Sequence, residues 1–144
     1  MRIVICDLDG TLALTEHRQH YVTGEKKDWD SFFKACVDDQ PNFPIIELVN
    51  DLYGLGYRVE IVSGRSDLVL HETLDWLAKF KVSFHGLTMR EKGNHEPDSD
   101  FKLKILRDNF DKDSIFLVLD DRQSVVDMWR SEGLTCLQVA PGDF

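Results

Sequence analysis

At 144 residues, with 42% hydrophobic and 30% charged side chains, the chain is long enough for one compact domain and too short for two of ordinary size. Acidic residues outnumber Lys and Arg by 26 to 17, and the net charge of -9 argues against a dedicated DNA-binding module unless basic groups gather at one site. No run approaches the roughly 18 apolar residues of a membrane span, no low-complexity tract indicates disorder, and Met1 leads directly into a strand pattern, so a soluble cytoplasmic protein is expected. Cys6, Cys36 and Cys136 are odd in number and lack metal-ligand spacing, which predicts reduced, partly buried thiols rather than a disulfide framework or a zinc site.

Arg2 to Cys6 is a short, mostly β-branched run ending at Asp7, the pattern of a strand buried on both faces of a parallel sheet. From about residue 12 to 43 the periodicity weakens. After the loop around Gly24, however, Trp29, Phe32, Phe33 and Cys36 are spaced for one amphipathic helix, and the stretch reads as a small insertion near the site. Pro44 suits a first helical position, and Ile45, Leu48, Val49 and Leu52 recur at helical spacing until Gly54 and Gly56 close the element. Tyr57 to Val62 predicts the second strand, Ser63-Gly64-Arg65 a turn, and residues 67 to 80 a helix with Leu70, Leu74 and Leu77 on one face.

Val82 to Met89 is a weaker third strand, followed by a polar loop through Gly93, Asn94 and Pro97. Asp98 to Asp100 can cap the next helix, whose apolar stripe includes Phe101, Ile105 and Leu106 and whose first turn carries Lys102. Ile115 to Leu119 predicts a strongly apolar strand ending at Asp120 and Asp121. Val125, Val126 and Trp129 then mark a helix that stops near Gly133, and Leu134 to Val139 is a fifth strand. This alternation predicts a single α/β domain with right-handed crossovers, a parallel sheet of about five strands and helices on both faces.

In such a sheet, ligands bind beyond the carboxyl ends of the strands. Asp7 and Asp9, Ser63, and Asp120 and Asp121 follow the ends of three different strands, and Lys102 begins a helix between two of them, so one crevice is expected to gather them all. The two carboxylates of Asp7-Leu8-Asp9-Gly10-Thr11, on a loop that glycine lets turn sharply, can divide the work of a displacement at phosphorus. Asp7 would attack to give an aspartyl-phosphate, while Asp9 exchanges a proton with the leaving group and then with water. Attack of one anion on another needs neutralisation, for which Mg2+ held by Asp7, Asp9, Asp120 and Asp121, through side-chain or main-chain oxygens and waters, is expected. Ser63 and the backbone amides of Gly64 and Arg65 are suited to phosphoryl oxygens, and the Lys102 ammonium to charge growing on the transferring group. Singly, these residues have plainer readings as a solvated turn, helix caps and a surface lysine; their joint order makes the pattern specific.

The same residues in the same order resemble the four motifs of the haloacid dehalogenase (HAD) superfamily of phosphohydrolases, over nearly the whole chain. Val62-Ser63-Gly64-Arg65, Asp120-Asp121-Arg122 with Val126, Met128-Trp129-Arg130, Gln138-Val139-Ala140 and Gly142-Asp143-Phe144 are further similar to the 3′-phosphatase domain of T-even bacteriophage polynucleotide kinase. The resemblance implies a HAD-like Rossmannoid three-layer fold, a magnesium ion and removal of 3′-phosphates from DNA or RNA ends. It also places Arg18, Arg65 and Asp98 at further active-site positions, where either arginine can bind phosphate bidentately. No Gly-x-x-x-x-Gly-Lys-Ser/Thr loop occurs, so a fused kinase domain and 5′-kinase activity are not expected. The stretch from His17 to Gln40 diverges from the phage domain.

The insertion is only about one helix long and the loop after Met89 is short, so neither makes a large cap, and an open site admits a polymer end. His17, Arg18, His20, Tyr21, Lys26, Lys27 and Trp29 mix basic and aromatic groups as single-strand binders do and are candidates to line the opening. The alternative activity is that of a nucleotidase or other small-molecule phosphomonoesterase, which the net charge favours slightly. A catalytically silent scaffold is a third reading, opposed by the complete set of converging charges.

Overall fold

A computed structural model describes residues 2–144. In chain order it contains β1 (Ile3–Cys6), β2 (Ala13–Leu14), α1 (Trp29–Lys34), β3 (Gln40–Pro41), α2 (Phe43–Gly54), β4 (Arg58–Ser66), α3 (Leu70–Lys79), β5 (Gly86–Arg90), α4 (Asp98–Asn109), β6 (Ile115–Asp120), α5 (Gln123–Ser131) and β7 (Cys136–Gln138). The order β5-β4-β1-β6-β7 makes one five-stranded parallel sheet. The chain steps outward from β1 to β4 and β5, then returns to the other side of β1 for β6 and β7. That reversal opens a crevice at the carboxyl ends of β1 and β6. Register brings Cys6 opposite Leu119 there, with the Asp7 amide donating to the Leu119 carbonyl at 2.9 Å.

Side chains of β1 alternate between two cores. Val4 and Cys6 pack with Ile46 and Val49 of α2 and Trp76 and Leu77 of α3, whereas Ile5 packs with Leu106 of α4 and Val125, Val126 and Trp129 of α5. Each fully buried aliphatic side chain contributes about 1.5–3 kcal/mol, so both faces of the sheet are covered because both are apolar. Cys6, Cys36 and Cys136 are free and buried. Burial raises all three thiols, that of Cys136 to about 12, which leaves them unreactive. Among the described residues, no helix is long and apolar enough to cross a membrane.

Several expected elements are reshaped. Ser63-Gly64-Arg65 is not a turn but the end of β4, which pairs with β5 as far as Ser66 and Arg90. The turn falls at Asp67–Val69, where the Ser66 side chain accepts from the Leu68 amide at 3.2 Å. On α3 the buried residues are Thr73, Trp76 and Leu77, while Leu70 and Leu74 are each 38% exposed. Thr73 displaces the leucine stripe because its hydroxyl accepts from the buried Arg65, and Trp76 turns inward to donate to the Asp39 carbonyl at 3.0 Å. The third strand begins at Gly86 rather than Val82, since Asn50 claims the preceding backbone by accepting from Ser83 and donating to Lys81. The helix expected from Trp29 to Cys36 is broken into α1 and a 3-10 turn at Ala35–Asp38. Asp98 is a helical residue, not a cap; Pro97 precedes the helix, and the Asp98 carboxylate is drawn off by Arg90. An element without a sequence signal, the antiparallel pair β2–β3, closes the base of the insertion.

Candidate active site

Asp7, at the end of β1, and Asp120, at the end of β6, are bridged by one lysine. Lys102, carried in by α4 and anchored through the buried Phe101 and Leu106, donates to Asp7 at 2.9 Å and to Asp120 at 3.0 Å. Thr11 donates to the other oxygen of Asp7 at 3.1 Å, and the Trp129 indole to Asp120 at 3.1 Å. Asp121 completes the group: Asp7, Asp120 and Asp121 each offer a carboxylate oxygen, and the three oxygens lie within 4.8 Å of one another. Gly10, at φ 81°, passes directly over this cluster, and any side chain there would collide with the Asp121 carboxylate.

One ammonium among three carboxylates leaves net negative charge in a buried place. Burial, followed by the charge of Asp120, pushes Asp7 well above the ordinary carboxylate range, and burial and Asp120 raise Asp121 as well. Burial alone would lower Lys102, but Asp120 and Asp7 outweigh it and keep the ammonium charged. A hard divalent cation takes oxygen donors of this kind and would offset the repulsion, so the three carboxylates fit one.

Asp9 lies apart from that cluster. Its carboxylate does not join the three oxygens but is gripped by Arg18, at 2.8 Å, and by Arg65. A contribution by Asp9 to a metal is thereby left to its main-chain oxygen. Behind the arginines sits Asp39, which accepts from Arg18 through both carboxylate oxygens at 2.8 Å, from Arg65 at 3.3 Å, and pairs with His17 at 2.6 Å. Burial would raise Asp9, yet the charges of Arg65 and Arg18 prevail and hold it below its ordinary value. The side chains of Arg18, Arg65 and Asp39 are fully buried, so neither arginine is free at rest for the bidentate phosphate contact expected of it.

Ser63 and Gly64 line the same cavity as Asp7. The Ser63 oxygen accepts from the Arg65 amide at 3.0 Å, which leaves its O–H to donate toward the cavity. Gly64 has no room for a Cβ because the Asp98 carboxylate lies against it. Asp98 accepts from Arg90 at 2.6 Å and pairs with Arg122 at 3.5 Å, while Arg90 also donates to the Gly64 carbonyl at 2.9 Å. Asp98 thus braces the Gly64 backbone through Arg90. Of the seven residues expected at the opening, Lys27 and Trp29 line the cavity of about 690 Å³. His17 and Arg18 are instead tied to Asp39, and His20 stacks on Tyr21 with ring centroids 4.1 Å apart. Sequence reasoning missed Asp39 and Arg90; neither carries a local signal, because each acts through partners distant in the chain.

A parallel sheet with an aspartate, a lysine and a carboxylate pair gathered at its switch point defines a HAD-type phosphohydrolase. Residues 1–144 match the polynucleotide kinase PNKP phosphatase domain, and the chain belongs to that family. It is 32% identical over 132 residues to a protein of Autographa californica nuclear polyhedrosis virus described as a bifunctional polynucleotide kinase/RNA ligase, covering 90% of this chain and 18% of that protein. It is also similar to a chain of a Pnkp1/Rnl/Hen1 complex, with a TM-score of 0.86 and 33% identity over 99% of this chain and 47% of the other. A haloacid dehalogenase-like hydrolase from Streptococcus pneumoniae shares the fold, with a TM-score of 0.64 and 15% identity over 96% of this chain and 84% of the other. The chain therefore spans 18% of the length of the viral protein and 47% of the chain from the Pnkp1/Rnl/Hen1 complex. The family makes it a phosphoric monoester hydrolase of the polynucleotide-phosphatase type.

Proposed function

We propose that this chain removes the terminal 3′-phosphate of a DNA or RNA strand through an aspartyl-phosphate on Asp7. In the first step an Asp7 oxygen bonds to phosphorus, the bond from phosphorus to the 3′ oxygen breaks, and Asp9 gives its proton to that oxygen. In the second, Asp9 takes a proton from water as the water attacks phosphorus, releasing phosphate and restoring Asp7. Lys102, the Ser63 hydroxyl and the Gly64 amide meet the phosphoryl oxygens. A magnesium ion held by the carboxylates of Asp7, Asp120 and Asp121, with Asp9 through its main-chain oxygen, would neutralise charge between nucleophile and phosphate.

The ion pairs of Asp9 set a condition on the first step. Held ionised by Arg18 and Arg65, Asp9 is ready at rest to act as the base of the second step. To donate in the first it must carry a proton, and a phosphate that draws Arg65 toward the cavity would loosen the hold and permit this. The phosphate contact implied for the arginines is then one they make after substrate enters.

The observation that carries the reading is Lys102 joining Asp7 to Asp120 beside Asp121, three carboxylates that line one cavity. The experiment compares a 3′-phosphorylated oligonucleotide with 3′- and 5′-mononucleotides in the presence of magnesium. A higher kcat/KM for the oligonucleotide is expected. Preference for mononucleotides would instead support the nucleotidase reading, which the net charge of -9 favours, and no turnover of the oligonucleotide would overturn the proposal.

A further inference from the structure

The six-residue helix α1 carries three aromatic rings, and they face the same cavity as Asp7 and Ser63. Trp29 is 45% exposed, whereas Trp76 and Trp129 are 3% and 1% exposed. A single exposed tryptophan is unremarkable, but this one is held in a fixed plane. Its ring stacks on Phe33 at 6.0 Å and 28°, and meets Phe32 edge-on at 5.6 Å and 90°. The Lys27 ammonium lies 5.9 Å from its centroid. Asp28 caps the helix, accepting from the Ser31 amide at 3.0 Å, so the rings are presented from a fastened element.

The platform is also tied to the chemistry. The Phe32 carbonyl accepts from Arg18 at 3.1 Å and the Phe32 ring lies 4.3 Å from the Arg18 guanidinium, the same guanidinium that holds Asp9. The distance from the rings to the reacting carboxylates is therefore set by a buried contact rather than by a loose loop.

We propose that Trp29, backed by Phe33 and flanked by Lys27, is the subsite on which the base of the 3′-terminal nucleotide stacks while its phosphate lies over Asp7. An exposed ring face calls for a flat apolar partner, and the neighbouring ammonium for an anion. A nucleotide at a strand end supplies both, as base and phosphodiester, whereas a sugar phosphate supplies only the anion. The cavity of about 690 Å³ falls within the range that holds a small organic ligand. This inference rests on the polynucleotide reading and adds that the enzyme senses the terminal base without reading its identity, because every base has a π face.

The test uses two single strands with a 3′-phosphate, identical except that the terminal nucleotide of one is abasic. Wild-type protein is expected to prefer the base-bearing end by about tenfold in kcat/KM, carried mainly by KM, the lower part of the range stacking gives. Trp29→Ala should bring that ratio near unity, and Trp29→Phe should keep most of it. In Asp7→Asn protein, which binds without turnover, the base-bearing strand should quench tryptophan emission more than the abasic one. This second measurement decides the matter even if Trp29→Ala fails to fold. A ratio unchanged by Trp29→Ala, or equal quenching by both strands, would overturn the subsite. Failure of wild-type protein to hydrolyse either strand would overturn the polynucleotide reading itself.

Discussion

Asp7 and Asp9 are two residues apart in the chain, but they enter charge clusters of opposite character. Around Asp7, one ammonium serves three carboxylates, and the cluster opens onto the cavity. Around Asp9, whose carboxylate also lines the cavity, the guanidiniums of Arg18 and Arg65 serve two carboxylates, and the side chains of Arg18, Arg65 and Asp39 behind it are sealed from solvent. Buried charge is tolerated where it is paired and costly where it is not. The first cluster therefore wants a cation from outside, while the second is complete in itself. What marks the proposed reacting centre is this electrostatic deficit, which the raised Asp7 and the lowered Asp9 express in opposite directions.

The strongest way to break this comparison is to remove the proposed nucleophile. Asp7→Asn should reduce turnover by on the order of 10^4- to 10^6-fold, the scale on which covalent enzymes respond to loss of a nucleophile. Circular dichroism should show the fold retained, and substantial residual hydrolysis would refute the covalent route. Next is the balance of the sealed cluster. Asp39→Asn leaves two buried guanidiniums facing Asp9 alone, and breaking a buried pair costs about 3–5 kcal/mol. Urea unfolding should show a loss of that size together with a fall in kcat; a change near zero would mean that the cluster is not self-contained.

Smaller effects sharpen the contrast. Magnesium should stabilise the folded protein, by about 2.7 kcal/mol at a concentration of 100 times its Kd. Asp121→Asn should lose most of this gain, and Asp39→Asn should keep it. The pH dependence without metal should take opposite signs at the two aspartates. Asp9, lowered in the fold, contributes stability that is present above the ordinary value of 3.8 and is lost as pH falls through its lower folded value. Asp7, raised in the fold, contributes stability below the ordinary value that is lost as pH rises through its higher folded value. In a chelator at neutral pH, Asp7→Asn should therefore be more stable than wild type, a gap that closes on acidification. Asp9→Asn should be less stable, and its gap should close only at lower pH. Unfolding curves with the same sign for both variants would contradict the comparison.

The open cluster was the legible one. Asp7, Ser63, Lys102, Asp120 and Asp121 could be placed together because strand ends in a parallel sheet converge, and the apolar runs that feed them are long enough to show periodicity. The sealed cluster was legible only in part. Arg18 and Arg65 were marked by resemblance, but Asp39 lies 21 positions from one and 26 from the other, among the similar carboxylates of Asp28, Asp30 and Asp38. Strands β2 and β3, which fix the ends of the insertion that carries Asp39, are two residues each and too short to leave a pattern. Thr73 was hidden for the same reason, since its burial answers to Arg65 rather than to helical spacing.

The most direct measurement is mass spectrometry of protein quenched in acid during turnover of a 3′-phosphorylated oligonucleotide. One added phosphoryl group on the peptide that contains Asp7, absent from the Asp7→Asn protein, is the predicted result. Steady hydrolysis with no phosphorylated protein trapped, or a phosphoryl group on a different peptide, would contradict the account.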